Sequence, residues 1–416
     1  MSENVDEATY DALRLRQWKS GEAGGFSRRT FLALAAAASA GAVFDAGPAR
    51  AAAGPIVKPL PPELFTVFGS NAEMRWSAMR DQGALVPVDR FFVRDHTSTP
   101  LIDADTWRLT VDGAGLRGGP VEFSLAELRR LPSETTVATI ECAGNGRSFF
   151  TTQQGQTVTG TAWRLGAVGV ARWRGVRLST VLRRAGLSGR AVDVMPSGLD
   201  PNYVTGGVDL GPVRRPMPVG KALDDVLLAY EMNGEPLLPD HGHPVRLVVP
   251  QWIGISSIKW VGRIEVSDQP LFSPWNTQFY RLFGPGYPED GQPFDKQVIK
   301  SAIELDFGAT VPAGRTVRLT GRSWSAGGPI RRVDVSTDGG QHWRRARPVG
   351  PCPAGAWQRW ELDWRPAAGD HELLARATDV HGHTQPDVTR YNTLGYLFDG
   401  VVRHPVTAVA AGLVIT

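Results

Sequence analysis

Apolar and polar positions alternate over short runs through much of the chain, and helical spacing is confined to a few brief stretches. Trp107 to Val111 alternates and predicts a strand. Ser124-Leu125-Ala126-Glu127 is a capping box, predicting a short helix that stops before Pro132. The β-branched run Thr136 to Ile140 predicts a strand that delivers Cys142 to its end. Ser179 to Ala185 fits a short helix with Leu178, Val181 and Leu182 on one side. Val226 to Tyr230 is an apolar run closed by the turn Met232-Asn233-Gly234, and Leu247 to Pro250 reads as a further strand. After Pro288-Glu289-Asp290-Gly291 the texture changes to short alternating strands: Thr316 to Thr320, Arg332 to Ser336, Trp357 to Trp364 and Glu372 to Ala377, with a turn at Asp338-Gly339-Gly340. That pattern predicts an immunoglobulin-type β-sandwich. The expected organisation is α+β over 55–288, followed by a sandwich over 292–416.

Composition supports this and narrows the function. At 416 residues the chain exceeds what one core usually supports. Its 42% hydrophobic and 21% charged residues are those of a globular protein. A formal charge of +3, from 45 basic and 42 acidic residues, argues against nucleic acid as a partner. The 47 glycines, 31 prolines and 13 tryptophans agree with many short strands joined by loops.

Residues 1–51 read as an export signal and are set aside from the expected fold. Ser27-Arg28-Arg29-Thr30-Phe31-Leu32 is a twin-arginine motif, Ala33 to Phe44 an apolar run, and Ala49-Arg50-Ala51 a small-x-small cleavage pattern. The apolar run is too short for a membrane span. The expected location is periplasmic or extracellular. Chains exported by this route often fold in the cytoplasm around an inserted cofactor.

The candidate chemistry centres on Cys142-Ala143-Gly144-Asn145-Gly146-Arg147. The glycines let the backbone close around whatever the sulfur holds, and Arg147 keeps positive charge nearby. The competing reading is a buried, inert cysteine. Upstream, alternation along Asp89 to His96 puts Arg94 and His96 on one face, where they would grip an anion. His241 and Arg246 flank a rigid Gly-Pro loop, and Ser256-Ser257-Ile258-Lys259 adds hydroxyls and an ammonium suited to a phosphate. No third ligand lies near His241 and His243, which argues against a zinc site. Several basic loops and one thiol together suggest a pocket for a large anionic cofactor.

These stretches resemble the sulfite oxidase family of molybdenum enzymes over roughly residues 85 to 395. The carrying motifs are Phe92-Val93-Arg94-Asp95-His96, Cys142-Ala143-Gly144-Asn145, Trp163 with Gly166-Ala167-Val168, Leu227 to Gly234, His241-Gly242-x-Pro244-Val245-Arg246, and Lys259-Trp260. The resemblance implies a molybdenum–molybdopterin cofactor with Cys142 as the protein's metal ligand. It implies that Phe92, Val93, Arg94, Asp95, His96, Asp200, His241, Arg246, Ser257, Ile258 and Lys259 hold the pterin and its phosphate. Arg94, Arg147, Tyr280, Trp163 and Arg359 would face the substrate. The implied activity is oxidation of sulfite, or a related small sulfur oxoanion, to sulfate, with electrons passed to an external acceptor such as a cytochrome c. The implied assembly is a homodimer formed through the sandwich.

Three positions depart from the family pattern: Gly146 where many members carry arginine, Thr159 where some carry lysine, and Phe279 where aspartate is often seen. Each removes charge from the expected pocket. Sulfoxide reduction or oxidation of another sulfur species therefore stays open beside sulfite oxidation. No Cys-x-x-Cys-His run is present, so no c-type haem is expected. A different class of reading is a cofactor-free binding module in which Cys142 and Cys352 form a disulfide.

Overall fold

The computed structural model describes residues 6–20, 55–294 and 297–410. The twin-arginine motif, the apolar run and the small-x-small pair all lie outside them. No described helix is long and apolar enough to cross a membrane.

The first domain is built on two five-stranded sheets. One runs in the order Met217–Pro218, Asp193–Gly198, Val261–Ser267, Arg108–Asp112 and Val121–Ser124, with a single parallel pair between Val261–Ser267 and Arg108–Asp112. The other joins Glu235–Pro236, Leu227–Met232, Val168–Arg177 and Ser133–Glu141, with Arg246–Val248 also pairing to Leu227–Met232. Ser124 caps the helix Leu125–Arg130 through the reciprocal bonds with Glu127 that the sequence predicts. The expected helix near 179–185 forms as Leu178–Arg184, burying Leu178, Val181 and Leu182. Strand Ser133–Glu141 pairs antiparallel with Val168–Arg177, ending at Glu141 opposite Val168, so Cys142 leaves the sheet at its edge.

Residues 297–410 hold two facing sheets. Lys300–Ile303, Val317–Trp324, Gln358–Trp364 and Arg347–Val349 form one. Ala309–Pro312, His404–Val409, Gly369–Asp379, Ile330–Ser336 and Arg344–Arg345 form the other. Leu319, Val333, Trp360, Leu373 and Ala377 fill the space between them, as expected for a sandwich. This part of the chain is not a closed module. Residues 389–402 return to the first domain, where the Leu397 amide donates to the Ala143 carbonyl at 2.9 Å and Tyr391 Oη to the Thr157 carbonyl at 2.9 Å.

The N-terminus departs from expectation. Residues 1–51 do not all stand outside the fold, because Glu7–Ser20 form a 14-residue helix, α1, packed on the first domain. Its buried residues Glu7, Tyr10, Asp11, Arg14 and Leu15 recur at three- and four-residue spacing and so share one face.

A buried carboxylate ties the strand Asn71–Met74 to the loop that precedes Val168. Glu73 Oε2 accepts from the backbone amides of Arg164 at 2.8 Å and Gly166 at 3.3 Å. Burial raises its pKa from 4.5 to about 7, against the pull of those amides and of Arg164 and Arg75. The folded state therefore takes up a proton that the unfolded chain releases, and this group's contribution falls as pH rises from 4.5 to about 7. The accumulated loss is on the order of 3 kcal/mol. Glu73→Gln removes it, so thermal melts should favour the variant over wild type increasingly between pH 5 and pH 8.

Candidate active site

The cysteine loop is fixed by its own backbone and by one buried asparagine. The Cys142 amide donates to Ala167 O at 2.9 Å, and the Asn145 amide to Cys142 O at 2.9 Å. Asn145, fully buried, donates through Nδ2 to Glu141 Oε1 at 2.9 Å and accepts the Ala167 amide through Oδ1 at 3.0 Å. Glu141 is also held from the second domain: Lys300 Nζ donates to Oε1 at 2.6 Å and Trp324 Nε1 to Oε2 at 2.9 Å. Gly254 presses on the same strand end; a Cβ there would lie 2.5 Å from Glu141 O. Gly146 sits at φ +96°, and a Cβ would lie 2.8 Å from that of Phe398, so the position admits no larger residue.

Cys142 opens into a partly enclosed recess. Of the expected site residues, Phe92, Arg94, Asp95, His96, Cys142, Asp200, His241, Arg246, Ser257, Ile258, Lys259 and Tyr280 all line it. Alternation had placed Arg94 and His96 on one face, and both reach the wall. Val93 is fully buried between them, beside Phe65 and Ala72. Trp163 is a core residue with no exposure, edge-on to Phe68. Arg147 lies behind the loop: Nε donates to Leu394 O and Nη1 to Thr161 O, both at 2.8 Å, and the guanidinium covers the Tyr396 ring. Arg359 belongs to the sandwich strand Gln358–Trp364. Neither Arg147, Trp163 nor Arg359 lines the recess. Both cysteines are free, which removes the disulfide reading.

The sequence reading missed Asp240 and Lys58. Asp240 is fully buried, accepts the Val57 and Lys58 amides at 2.9 and 2.7 Å, and takes the Thr99 hydroxyl at 2.6 Å. Lys58 Nζ donates to Phe91 O at 2.6 Å and lies 3.4 Å from His241 Nε2. Asp240 adjoins a noted histidine, but nothing local marks Lys58.

The walls carry three cations, Arg94, Arg246 and Lys259, and three carboxylates, Asp95, Asp200 and Asp240. Lys259 Nζ pairs with Asp95 and donates to Asp240 O at 2.8 Å. Arg246 reaches only carbonyl oxygens, His241 O at 3.0 Å and Ser257 O at 3.1 Å, and lies over Trp173. Burial drives its pKa down to about 9 and that of Lys58 to about 7. Burial, with Lys58, Lys259 and Arg246, holds His241 well below its ordinary value. Burial works against the charge on Arg94, but Tyr280, Cys142, Tyr396 and Asp95 around it hold its pKa above the ordinary value. His96 is kept neutral by burial and by the cations Arg94 and Lys259. Trp275 Nε1 donates to His96 Nε2 at 3.2 Å, which leaves the ring proton on Nδ1, and Tyr280 Oη lies 3.3 Å from the same Nε2. Tyr280 itself has φ +57°, a strained position for a bulky residue, and its ring stacks on Tyr396 at 5.6 Å.

Two observations fit this donor set to a large anionic cofactor. Arg94 and Arg246 line the recess and donate to carbonyl oxygens rather than carboxylates, which leaves their charge for an anion. Asp200 Oδ1 is buried with no hydrogen-bond partner, an acceptor that an N–H of the cofactor would meet. Among the described residues no group of three or more His, Cys, Asp or Glu side chains is arranged to hold a metal ion. The Cys142 thiolate would therefore serve as the protein's ligand to a metal whose other ligands a cofactor brings.

Comparison with known proteins agrees with that chemistry. Residues 96–275 match the oxidoreductase molybdopterin binding domain, and residues 297–407 the Mo-co oxidoreductase dimerisation domain. Sulfite oxidase of Gallus gallus is 40% identical over 324 residues, covering 73% of this chain and 68% of that protein. The chain belongs to the sulfite oxidase family. Mitochondrial sulfite oxidase of Homo sapiens is 38% identical over 348 residues, 79% of this chain. The chain spans only 59% of the length of that relative. Among solved structures, the sulfane dehydrogenase SoxCD from Paracoccus pantotrophus superposes with a TM-score of 0.69 at 29% identity, covering 82% of this chain and 84% of that one. As a sulfite oxidase family member, the protein is a molybdopterin oxidoreductase with an α+β catalytic domain and an immunoglobulin-like sandwich.

Proposed function

We propose that this chain oxidises sulfite to sulfate and passes the electrons to a separate acceptor such as a cytochrome c. The observation that carries the reading is the convergence of Cys142, Arg94 and Tyr280 on one recess. When bound, molybdenum–molybdopterin supplies the two-electron redox and oxygen-transfer chemistry. Cys142 would ligate the metal, and Arg246, Lys259, His241 and Ser257 would hold the pterin and its phosphate. Arg94 stays protonated and fixes the oxoanion; its position beside Cys142 and Tyr280 brings the substrate to the thiolate's side of the recess. Tyr280 Oη carries one proton, and with Trp275 already donating to His96 Nε2 that proton is available for a developing negative oxygen. Arg147 acts at one remove, by holding the loop and Tyr396.

The export signal, the periplasmic or extracellular location and the homodimer belong to the same proposal. They are supported by the order of motifs in 27–51 and by the match to a dimerisation domain. A second reading, oxidation of a sulfane sulfur, is favoured by the likeness to the sulfane dehydrogenase and by Gly146 and Thr159, which stand where many relatives carry basic residues.

The test uses full-length protein carrying molybdenum, with ferricyanide or cytochrome c as acceptor and sulfite or a sulfane sulfur compound as substrate. Sulfite-dependent acceptor reduction is the expected result. Turnover of the sulfane compound alone moves the assignment to the second reading, and loaded enzyme inert towards both discards the two together. Arg94→Gln should raise KM for sulfite about 10- to 100-fold, the worth of a charge-assisted hydrogen bond.

A further inference from the structure

Helix α1 is held by buried charge, which a detachable leader does not need. Arg215, with 1% exposure, donates through Nη2 to Glu7 Oε1 at 3.0 Å and also pairs with Asp11. Glu7 additionally accepts the Ile253 amide at 3.0 Å and the Ser256 hydroxyl at 3.2 Å. One turn further on, Arg14 grips Asp193 with two parallel bonds, at 2.8 and 2.7 Å, and Asp193 has no exposure. The receiving surface thus presents a buried cation and a buried anion, and α1 carries acid, acid and base along one face to match them.

Without α1, Arg215 would lose both carboxylates, and Asp193 would keep only the Leu271 amide at 2.8 Å. Two ions that α1 now covers would be left without the partners that compensate them. The position is not peripheral. Arg215 also donates to the Trp275 carbonyl and lies 5.9 Å from the centre of the Tyr280 ring, while Ile253 and Ser256 adjoin the recess wall at Ser257 and Ile258.

We propose that residues 7–20 are a permanent part of the finished enzyme: the surface around Arg215 and Asp193 is a docking site for this helix, and it stays occupied after export. Processing near Ala51 would then leave α1 bound as a separate peptide, and absence of processing would leave it tethered. The processing arm rests on the export reading; the docking arm does not, and neither depends on which substrate is turned over.

Two measurements decide it. The exported holoenzyme is first subjected to mass spectrometry after gel filtration in non-denaturing buffer; residues 7–20 should be present, within the chain or as a co-purifying fragment. An exported, fully active enzyme without them would overturn the proposal. In the second, full-length holoenzyme bearing an inserted protease site between residues 21 and 50 is cut after folding. The N-terminal fragment should co-elute with the enzyme. Excess fluorescent peptide of residues 6–20 should exchange into the cut complex, and the same peptide with Asp11→Lys should not. A wild-type fragment that separates on cutting, or equal binding of both peptides, refutes docking. Because the discriminating change is on the peptide, misfolding of a variant enzyme cannot mimic either result.

Discussion

Cys142→Ser should give a folded protein that does not turn over sulfite. The cysteine is half-buried at the end of a strand, at the margin of a core cluster, so the near-isosteric serine should cost little in packing. The backbone bonds of the loop run through Ala167, Asn145 and Leu397, and serine keeps them all. What changes is the ligand: a soft sulfur becomes a hard oxygen. Changes one shell beyond a metal ligand cost about 10- to 100-fold in affinity or activity, so replacing the ligand itself should cost at least that. Elemental analysis, a thermal melt and the sulfite assay, run on both proteins, check it. An unchanged melt with lost turnover is expected; retained turnover would return Cys142 to the inert reading.

Lys300→Met should destabilise the protein severely. The Lys300–Glu141 pair spans the two domains at 2.6 Å with side-chain exposures of 3% and 1%. Methionine fills the same volume but leaves the carboxylate with only Asn145 and Trp324 as donors. Breaking one side of a buried pair costs about 3–5 kcal/mol. Glu141→Gln combined with Lys300→Met should recover part of that loss, because no unpaired charge then remains. Denaturant midpoints of wild type, both single variants and the double variant measure it. Additive effects would show that the two groups do not act as a pair.

Much of the site could be read along the chain because the relevant signals are local. A β-branched run followed by small residues puts Cys142 at a strand end, whereas Arg94, Asp95 and His96 all reach the recess where the strand stops at Arg94, so alternation does not sort them. The capping box at Ser124 is local by nature and forms as expected. The signals that failed depend on partners far away. Trp163 and Arg147 have the right residue types and neighbours, but whether they face a cavity is decided by Phe68 and by Leu394, outside their own segments. Lys58 gains its role only through His241, 183 positions on. The charged face of α1 has its counter-ions 179 and 204 positions away, and the adjacent export motif drew the whole segment out of consideration.

The strip at 389–402 bears on how this enzyme can be divided. It lies beyond the sandwich's long strands in the sequence, yet it supplies Tyr396 against Tyr280, Leu397 against the cysteine loop, and the carbonyl of Leu394 that steadies Arg147. A cassette ending near residue 290, where the texture of the chain changes, would carry the cysteine and every residue lining the recess but leave behind the strip that backs Tyr280, the cysteine loop and Arg147. Catalysis and assembly in this chain are therefore not interchangeable modules. A graft of either half onto another protein must take this returning strip with the cysteine.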